Sequence, residues 1–157
     1  MELSFEDQLM DLDWFALDES GAIGHFTTAG IWPMPRSVAA SKEDLERVQD
    51  FFWQKPPFTR VSVEAKVFSY ADVNPADETA REWFVHDFVQ MAARGLYSYN
   101  CFLKEQPPAA YYRVAVPNEP LRVDSLPLEI RDILRRTIMP GVSFARDELI
   151  GSASLGT

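Results

Sequence analysis

The chain has 157 residues and a formal net charge of −9, with 46% hydrophobic and 25% charged residues. This length and composition predict one soluble domain with its own core. The acidity opposes binding to nucleic acid or an anionic membrane, and no stretch approaches the roughly 18 apolar residues of a membrane-spanning helix. A single cysteine, Cys101, excludes an internal disulfide. Together with the absence of signal-peptide features, it predicts a cytoplasmic location.

The acidic residues are concentrated at the start of the chain. Residues 1–20 contain seven acids and no base, among them Asp11, Asp13, Asp18 and Glu19. Such a field favours a basic partner. A solvated N-terminal arm without any partner has the same composition, so both interpretations stay open at this point.

A β-hairpin is predicted near the N-terminus. Two apolar runs, 14–17 and 22–26, flank a polar segment in which Gly21 supplies the positive φ of a tight turn. Both faces of the first strand are apolar, so we expect the strand to be covered on both sides. A short helix over 4–10, with Ser4 as its N-cap, is expected before it.

Three longer helices are predicted from caps and apolar periodicity. They are expected over 42–54, over 77–94, and from about 125 to the stop at 139–141. Further strands are predicted over 60–69, 96–103, 110–116 and 121–123. The loop over 28–41 carries Trp32, which either plugs the core or forms a contact surface.

The order of these elements predicts an α+β fold. We expect a single domain over 1–150, with a mainly antiparallel sheet built from hairpins and about three helices packed on one face. A small, polar and disordered tail is predicted over 151–157.

The motifs of common active sites are missing from the sequence. There are two histidines, His25 and His86, and no spaced cluster of metal ligands, phosphate-binding glycine loop or serine-nucleophile motif. The triplet from Asp11 to Asp13 resembles the acidic pair of some metal-dependent transferases, but such triplets are common by chance. We therefore predict no metal site and no cofactor.

His25 is the residue with the most chemical interest. It lies in the predicted hairpin near the acidic segment, where a neighbouring carboxylate would favour its charged form. It is a general base, a pH-sensitive contact, or a hydrogen-bonded residue of the hairpin. Trp14 and Trp32 belong to an aromatic excess that either fills the core or supplies rigid anchors to a protein partner.

Three stretches resemble a group of small, stand-alone bacterial proteins, some of which are regarded as immunity proteins of toxin–immunity systems. They are DWFALDESGAIGHFTTAG, GLYSYN, and YYRVAVPNEPL with the Leu-Pro that follows. The resemblance implies a protein-binding module and brings no catalytic residues.

We therefore expect a module that presents its acidic segment and hairpin to a basic partner such as a nuclease toxin. The expected binding residues are Asp11, Asp13, Trp14, Asp18, Glu19, His25 and Trp32. The alternative is a small-ligand-binding protein or enzyme with a pocket around His25, Asp13 and a tyrosine. A third alternative is an oligomeric structural protein, marked by a large apolar patch.

Overall fold

A seven-stranded mixed sheet organises the chain. The computed structural model describes residues 1–30, 34–106 and 109–155. The strands are β1 Asp13–Asp18, β2 Ile23–Thr27, β3 Val61–Val63, β4 Tyr97–Gln106, β5 Ala109–Pro117, β6 Ile138–Met139 and β7 Leu149–Ile150. Their order is β3-β5-β4-β2-β1-β6, and β7 pairs with β5.

Six α-helices accompany the sheet in the described residues. They are α1 Phe5–Gln8, α2 Arg36–Ala39, α3 Lys42–Gln54, α4 Val67–Tyr70, α5 Glu78–Ala92 and α6 Leu128–Leu134. The two longest begin at side-chain caps, since Ser41 accepts from the backbone N–H of Asp44 and Asp77 from that of Ala80. The helices predicted over 42–54 and 77–94 are therefore present with nearly the expected bounds.

The predicted hairpin and fold class are confirmed. β1 and β2 pair antiparallel from Asp13 opposite Thr27 to Leu17 opposite Ile23, and Gly21 has a φ of 86° in the turn. β4 and β5 form a second antiparallel pair. Two parallel pairings, β2 with β4 and β1 with β6, join these units into one sheet. The fold is α+β with a mostly antiparallel sheet.

The long helices cover one face of the sheet. Phe15 of β1 meets Phe52 of α3 with ring centroids 5.2 Å apart, and α6 completes this cluster. Phe88 of α5 packs with Tyr112 and Val114 of β5. His25 points to this same helix-covered face, because it alternates with Phe26 along β2.

The opposite face carries a stack of aromatic rings. Trp14, Phe26 and Tyr99 stack across three neighbouring strands, with centroids 4.1 and 5.0 Å apart. Phe144 and Leu155 from the C-terminal segment are buried in the same cluster. Each aromatic pair adds about 0.5–1.5 kcal/mol beyond the burial of its area. Much of the aromatic excess therefore fills the core.

The strand expected over 60–69 is much shorter than predicted. β3 ends at Val63, and the chain turns into α4, where Val67 is buried. β3 and β7 share one edge of β5, with β3 opposite 115–117 and β7 opposite Tyr111 and Tyr112. A longer β3 would occupy the place that β7 takes on this edge.

The C-terminal segment contains a short helical turn. Ser152–Leu155 form a 3-10 helix in which Leu155 is buried, within the segment 151–157 where the sequence predicts disorder; residues 156 and 157 lie outside the described residues. The strand expected over 121–123 is reduced to a single bridge between Ala22 and Arg122. Among the described residues, no helix combines the length and apolar character needed to cross a membrane.

Candidate binding cleft

Hydrogen bonds join the side chains of Asp13, His25 and Ser98 across the three neighbouring strands β1, β2 and β4. His25 lies beside Ser98 in the parallel register of β2 and β4, and its Nδ1 is 2.7 Å from the Ser98 Oγ. Its Nε2 is 3.1 Å from the Asp13 Oδ1. A carboxylate only accepts, so with the ring neutral Nε2–H donates to Asp13 and Nδ1 accepts from the Ser98 hydroxyl.

Of these three residues, Asp13 alone reaches solvent. The side chain of Asp13 is 21% exposed and that of His25 is 0% exposed. Ser98 is also fully buried. Gln49 of α3 approaches the second oxygen of Asp13 at 3.4 Å. His25 and Gln49 of α3 therefore contact different oxygens of this carboxylate and together fix its position.

Asp13 faces a cleft of about 620 Å³ between the sheet and α5. This volume lies within the range of small-molecule sites, about 300–1,000 Å³. Three carboxylates line the cleft, from Asp11, Asp13 and Asp87, and the described lining contains no lysine or arginine. His86 also lines the cleft, so among the described lining residues three carboxylates face one histidine and neither lysine nor arginine.

Aromatic rings form much of the remaining wall. Trp83, Phe84 and Phe88 project from α5, and Tyr112 comes from β5. Trp83 is 85% exposed, which is unusual for the largest apolar side chain. Aromatic faces beside carboxylates suit an organic cation, which gains from the ring quadrupole and from the negative charge.

The lining of the cleft contains a polar group with unused hydrogen-bonding capacity. The Asn100 Oδ1 accepts from Thr27 and from the backbone of Cys101, and its Nδ2 donates to the Tyr112 hydroxyl at 3.0 Å. Burial raises the pKa of Tyr112 to about 12, so this hydroxyl keeps its proton at neutral pH. No acceptor for that proton occurs among the described residues.

Besides His25, two more of the expected binding residues lie inside the fold. Trp14 has no exposed surface, and its indole N–H donates to the Tyr111 hydroxyl at 3.2 Å. Asp18 is 2% exposed. One of its oxygens accepts from Ser20 and Ala22, and the other accepts from the backbone of Phe144. Both residues hold the structure together and are not available to a partner.

The other expected residues do not form one surface. Asp11 is exposed and lines the cleft, while Glu19 is exposed at the far end of β1. Five steps of extended strand separate Asp13 from Asp18, or about 17 Å. His25 lies behind Asp13 and does not line the cleft. Trp32 lies outside the described residues.

Sequence reasoning missed several residues of the cleft. Trp83 and Asp87 are four residues apart on α5 and so share a helix face, which was a usable signal. Asn100 and Tyr112 face each other through the register of β4 and β5. That register depends on pairing between distant strands and left no local pattern in the sequence.

A separate apolar surface lies at the N-terminus. Phe5, Leu9 and Met10 are 77%, 58% and 64% exposed, and we call these three residues the N-terminal surface. The segment is fixed by the capping box of Ser4 and Asp7 and by buried Leu3, whose N–H donates to Ala39. The exposed acids of this segment are Glu2, Glu6 and Asp11.

Comparisons with family models, with curated proteins and with solved structures give no match. Within the described ranges, no group of three His, Cys, Asp or Glu residues is placed to hold a metal ion. The function is therefore inferred from the chemistry of the cleft and of the N-terminal surface.

Proposed function

We propose that this protein is a binding module for a basic protein partner. The specific form of the proposal is an immunity protein that binds and neutralises a basic toxin. The N-terminal surface is the docking site. The observation that carries the proposal is the exposure of Phe5, Leu9 and Met10 on a segment that is itself tied to the fold. Exposed apolar residues surrounded by charges are typical of protein interfaces.

The energetics of this surface favour a partner that is both apolar and basic. Burying an exposed side chain of this size contributes about 1.5–3 kcal/mol. Glu2, Glu6 and Asp11 add negative charge around the apolar residues, whereas Asp7 is paired with Lys42 at 3.2 Å. Charge complementarity would speed the encounter and disfavour acidic competitors.

Affinity capture from the native organism tests the proposal, followed by binding measurements with the purified captured protein. The variant Phe5→Ser/Leu9→Ser/Met10→Ser should bind at least about tenfold more weakly than the wild type, since each anchor supplies hydrophobic contact. The matched control is Leu128→Ser, which changes an exposed apolar residue of α6. Equal affinity of all three proteins would reject this docking site.

The immunity role has its own test. The captured protein is expressed in a bacterial host, with and without the wild-type chain. Growth arrest that the wild type relieves and the triple variant does not would support the role. A captured protein that is harmless when expressed alone would reject immunity and leave the binding module intact.

A second candidate function is small-ligand binding or catalysis at the cleft. The line of hydrogen bonds from Ser98 through His25 to Asp13 favours it, because it fixes a carboxylate at the cleft wall. The nucleophile of a serine hydrolase must reach its substrate. Ser98 is fully buried behind the imidazole ring. The arrangement therefore favours ligand binding, or proton transfer by Asp13, over acyl transfer to Ser98.

A further inference from the structure

We infer that the cleft binds an organic cation that carries an oxygen acceptor near its charge, of the kind found in an arginine or lysine residue. This inference rests on the second candidate function and names the ligand class for the same site. It does not rest on docking at the N-terminal surface, although Asp11 contributes charge to both sites.

The charge of the lining favours a cation, because three aspartates face a single histidine, His86. The Asp11 Oδ1 accepts from the backbone of Ala29, and both oxygens of Asp13 have partners within the fold. These bonds fix the two carboxylates without neutralising them by lysine or arginine. Asp87 is exposed, and no ion pair to it occurs among the described residues.

The aromatic lining favours an organic cation over a hydrated metal ion. Trp83 lies four residues before Asp87 on the same face of α5, so one cation can contact both the ring and the carboxylate. A guanidinium group stacks on an aromatic face and is weakly hydrated, so it loses little on leaving water. A metal ion would need a set of converging ligands, and the described residues offer none.

Tyr112 supplies the independent observation that points to an acceptor on the ligand. Its side chain is 2% exposed, lines the cleft, and already accepts from the amide of Asn100. The remaining capacity of this hydroxyl is donation. A carbonyl or hydroxyl oxygen of the ligand would accept that proton, which has no acceptor among the described residues.

The same chemistry can come from two sources. One is a free small molecule with a guanidinium or ammonium group, and the other is a basic residue in an exposed segment of a protein. Both can present a cation and an oxygen acceptor joined by a short aliphatic chain. The two sources differ in whether flanking peptide adds affinity.

Isothermal titration calorimetry with three small ligands tests the inference on the full chain. They are n-butylguanidine, Nα-acetyl-L-arginine N-methylamide and the neutral citrulline analogue of the latter. For the wild type we expect the arginine amide to bind about tenfold more tightly than butylguanidine, the effect of one buried hydrogen bond. The citrulline analogue should lose at least about tenfold because it lacks the charge.

The variant Tyr112→Phe keeps the ring and removes the hydroxyl. It should bind the arginine amide and butylguanidine with nearly equal affinity. Tyr70→Phe is the matched control, since Tyr70 packs against Tyr112 with ring centroids 5.1 Å apart and is not part of the lining. The control should keep the wild-type preference. If Tyr112→Phe does not fold, the ligand comparison on the wild type decides alone.

The outcomes distinguish failure of this inference from failure of the second candidate function, ligand binding at the cleft. Equal binding of butylguanidine and the arginine amide to the wild type overturns the inference and leaves cation binding at the cleft intact. No binding of any cation overturns both. Tighter binding of acetyl-Gly-Arg-Gly-amide than of the arginine amide supports a protein source, and equal binding supports a small-molecule source.

Discussion

The two ends of the β1–β2 hairpin carry acids in opposite surroundings. At the turn end, Asp18 is buried, and its oxygens accept from Ser20, Ala22 and Phe144. At the open end, Asp13 is held by His25 and keeps part of its carboxylate at the cleft. Two carboxylates of the same strand thus differ in role. Backbone N–H groups surround that of Asp18, whereas that of Asp13 borders an open cleft.

The turn end also depends on the C-terminal loop. Phe144 donates to Asp18, and the backbone of Gly141 donates to Glu19. Arg113 of β5 donates to the carbonyl oxygens of Phe144 and Ala145 and pairs with Glu64 at 2.6 Å. This arginine therefore holds the loop whose backbone donates to Asp18, and among the described residues no arginine makes a corresponding contact at the open end.

The largest expected effect is that of Arg113→Met. The substitution leaves two carbonyl groups and Glu64 without their donor, so we expect a loss of about 3–5 kcal/mol in the free energy of unfolding. Urea denaturation followed by tryptophan fluorescence measures it. Arg146→Met is the matched control on the same loop, where the arginine is exposed, and it should lower the free energy of unfolding far less than Arg113→Met. Similar losses in both variants would refute the role of Arg113.

The next effect directly compares the two ends of the hairpin. Asp18→Ala leaves buried backbone N–H groups of Ala22 and Phe144 without an acceptor, so we expect a loss of about 3 kcal/mol. Asp11→Ala, at the open end, removes one acceptor from the exposed Ala29 contact and should cost less than about 1 kcal/mol. Denaturation of both variants under one set of conditions checks the difference. A cost for Asp11→Ala that equals or exceeds that for Asp18→Ala would reverse the comparison.

The sequence predicts the local parts of this fold well. The hairpin and the helices α3 and α5 follow from a turn glycine, side-chain caps and apolar spacing, all of which act within a few residues. Asp18 was expected at the surface because its turn is polar. Its burial arises from Phe144, which is distant in the sequence.

The cleft is less predictable for the same physical reason. Asp13 and His25 could be singled out from the hairpin alone. Tyr112 joins them through the pairing of distant strands, and Trp83 through the position of α5 against the sheet. Trp83 is 85% exposed, whereas Phe88 of the same helix is 7% exposed. Periodicity defines a helix face, while only packing decides which ring is covered.

The smallest expected effect is an acid dependence at the turn end. Hydrogen bonding from Arg146 lowers the pKa of Asp147, and the backbone N–H of Ser143 lowers it further. A carboxyl with a lowered folded-state pKa stabilises the fold above its ordinary pKa of about 4 and loses that contribution as the pH falls. Asp147→Asn should therefore weaken the fold by less than about 1 kcal/mol at pH 7 and flatten the decline in stability as the pH falls below about 4.

Arg146→Gln tests the cause of that decline. It removes the larger influence on Asp147 and keeps the contact with the Ser143 N–H, so the decline should be flattened in part. The double variant should nearly match Asp147→Asn alone, because the other side-chain contact of Arg146 is a long one, from its Nη2 to the Gly141 carbonyl oxygen at 3.4 Å. Urea denaturation at pH 7, 4 and 2.5 measures all three. A double variant with the sum of the two single losses would show that the residues act separately and that the loop at the turn end is held by other contacts.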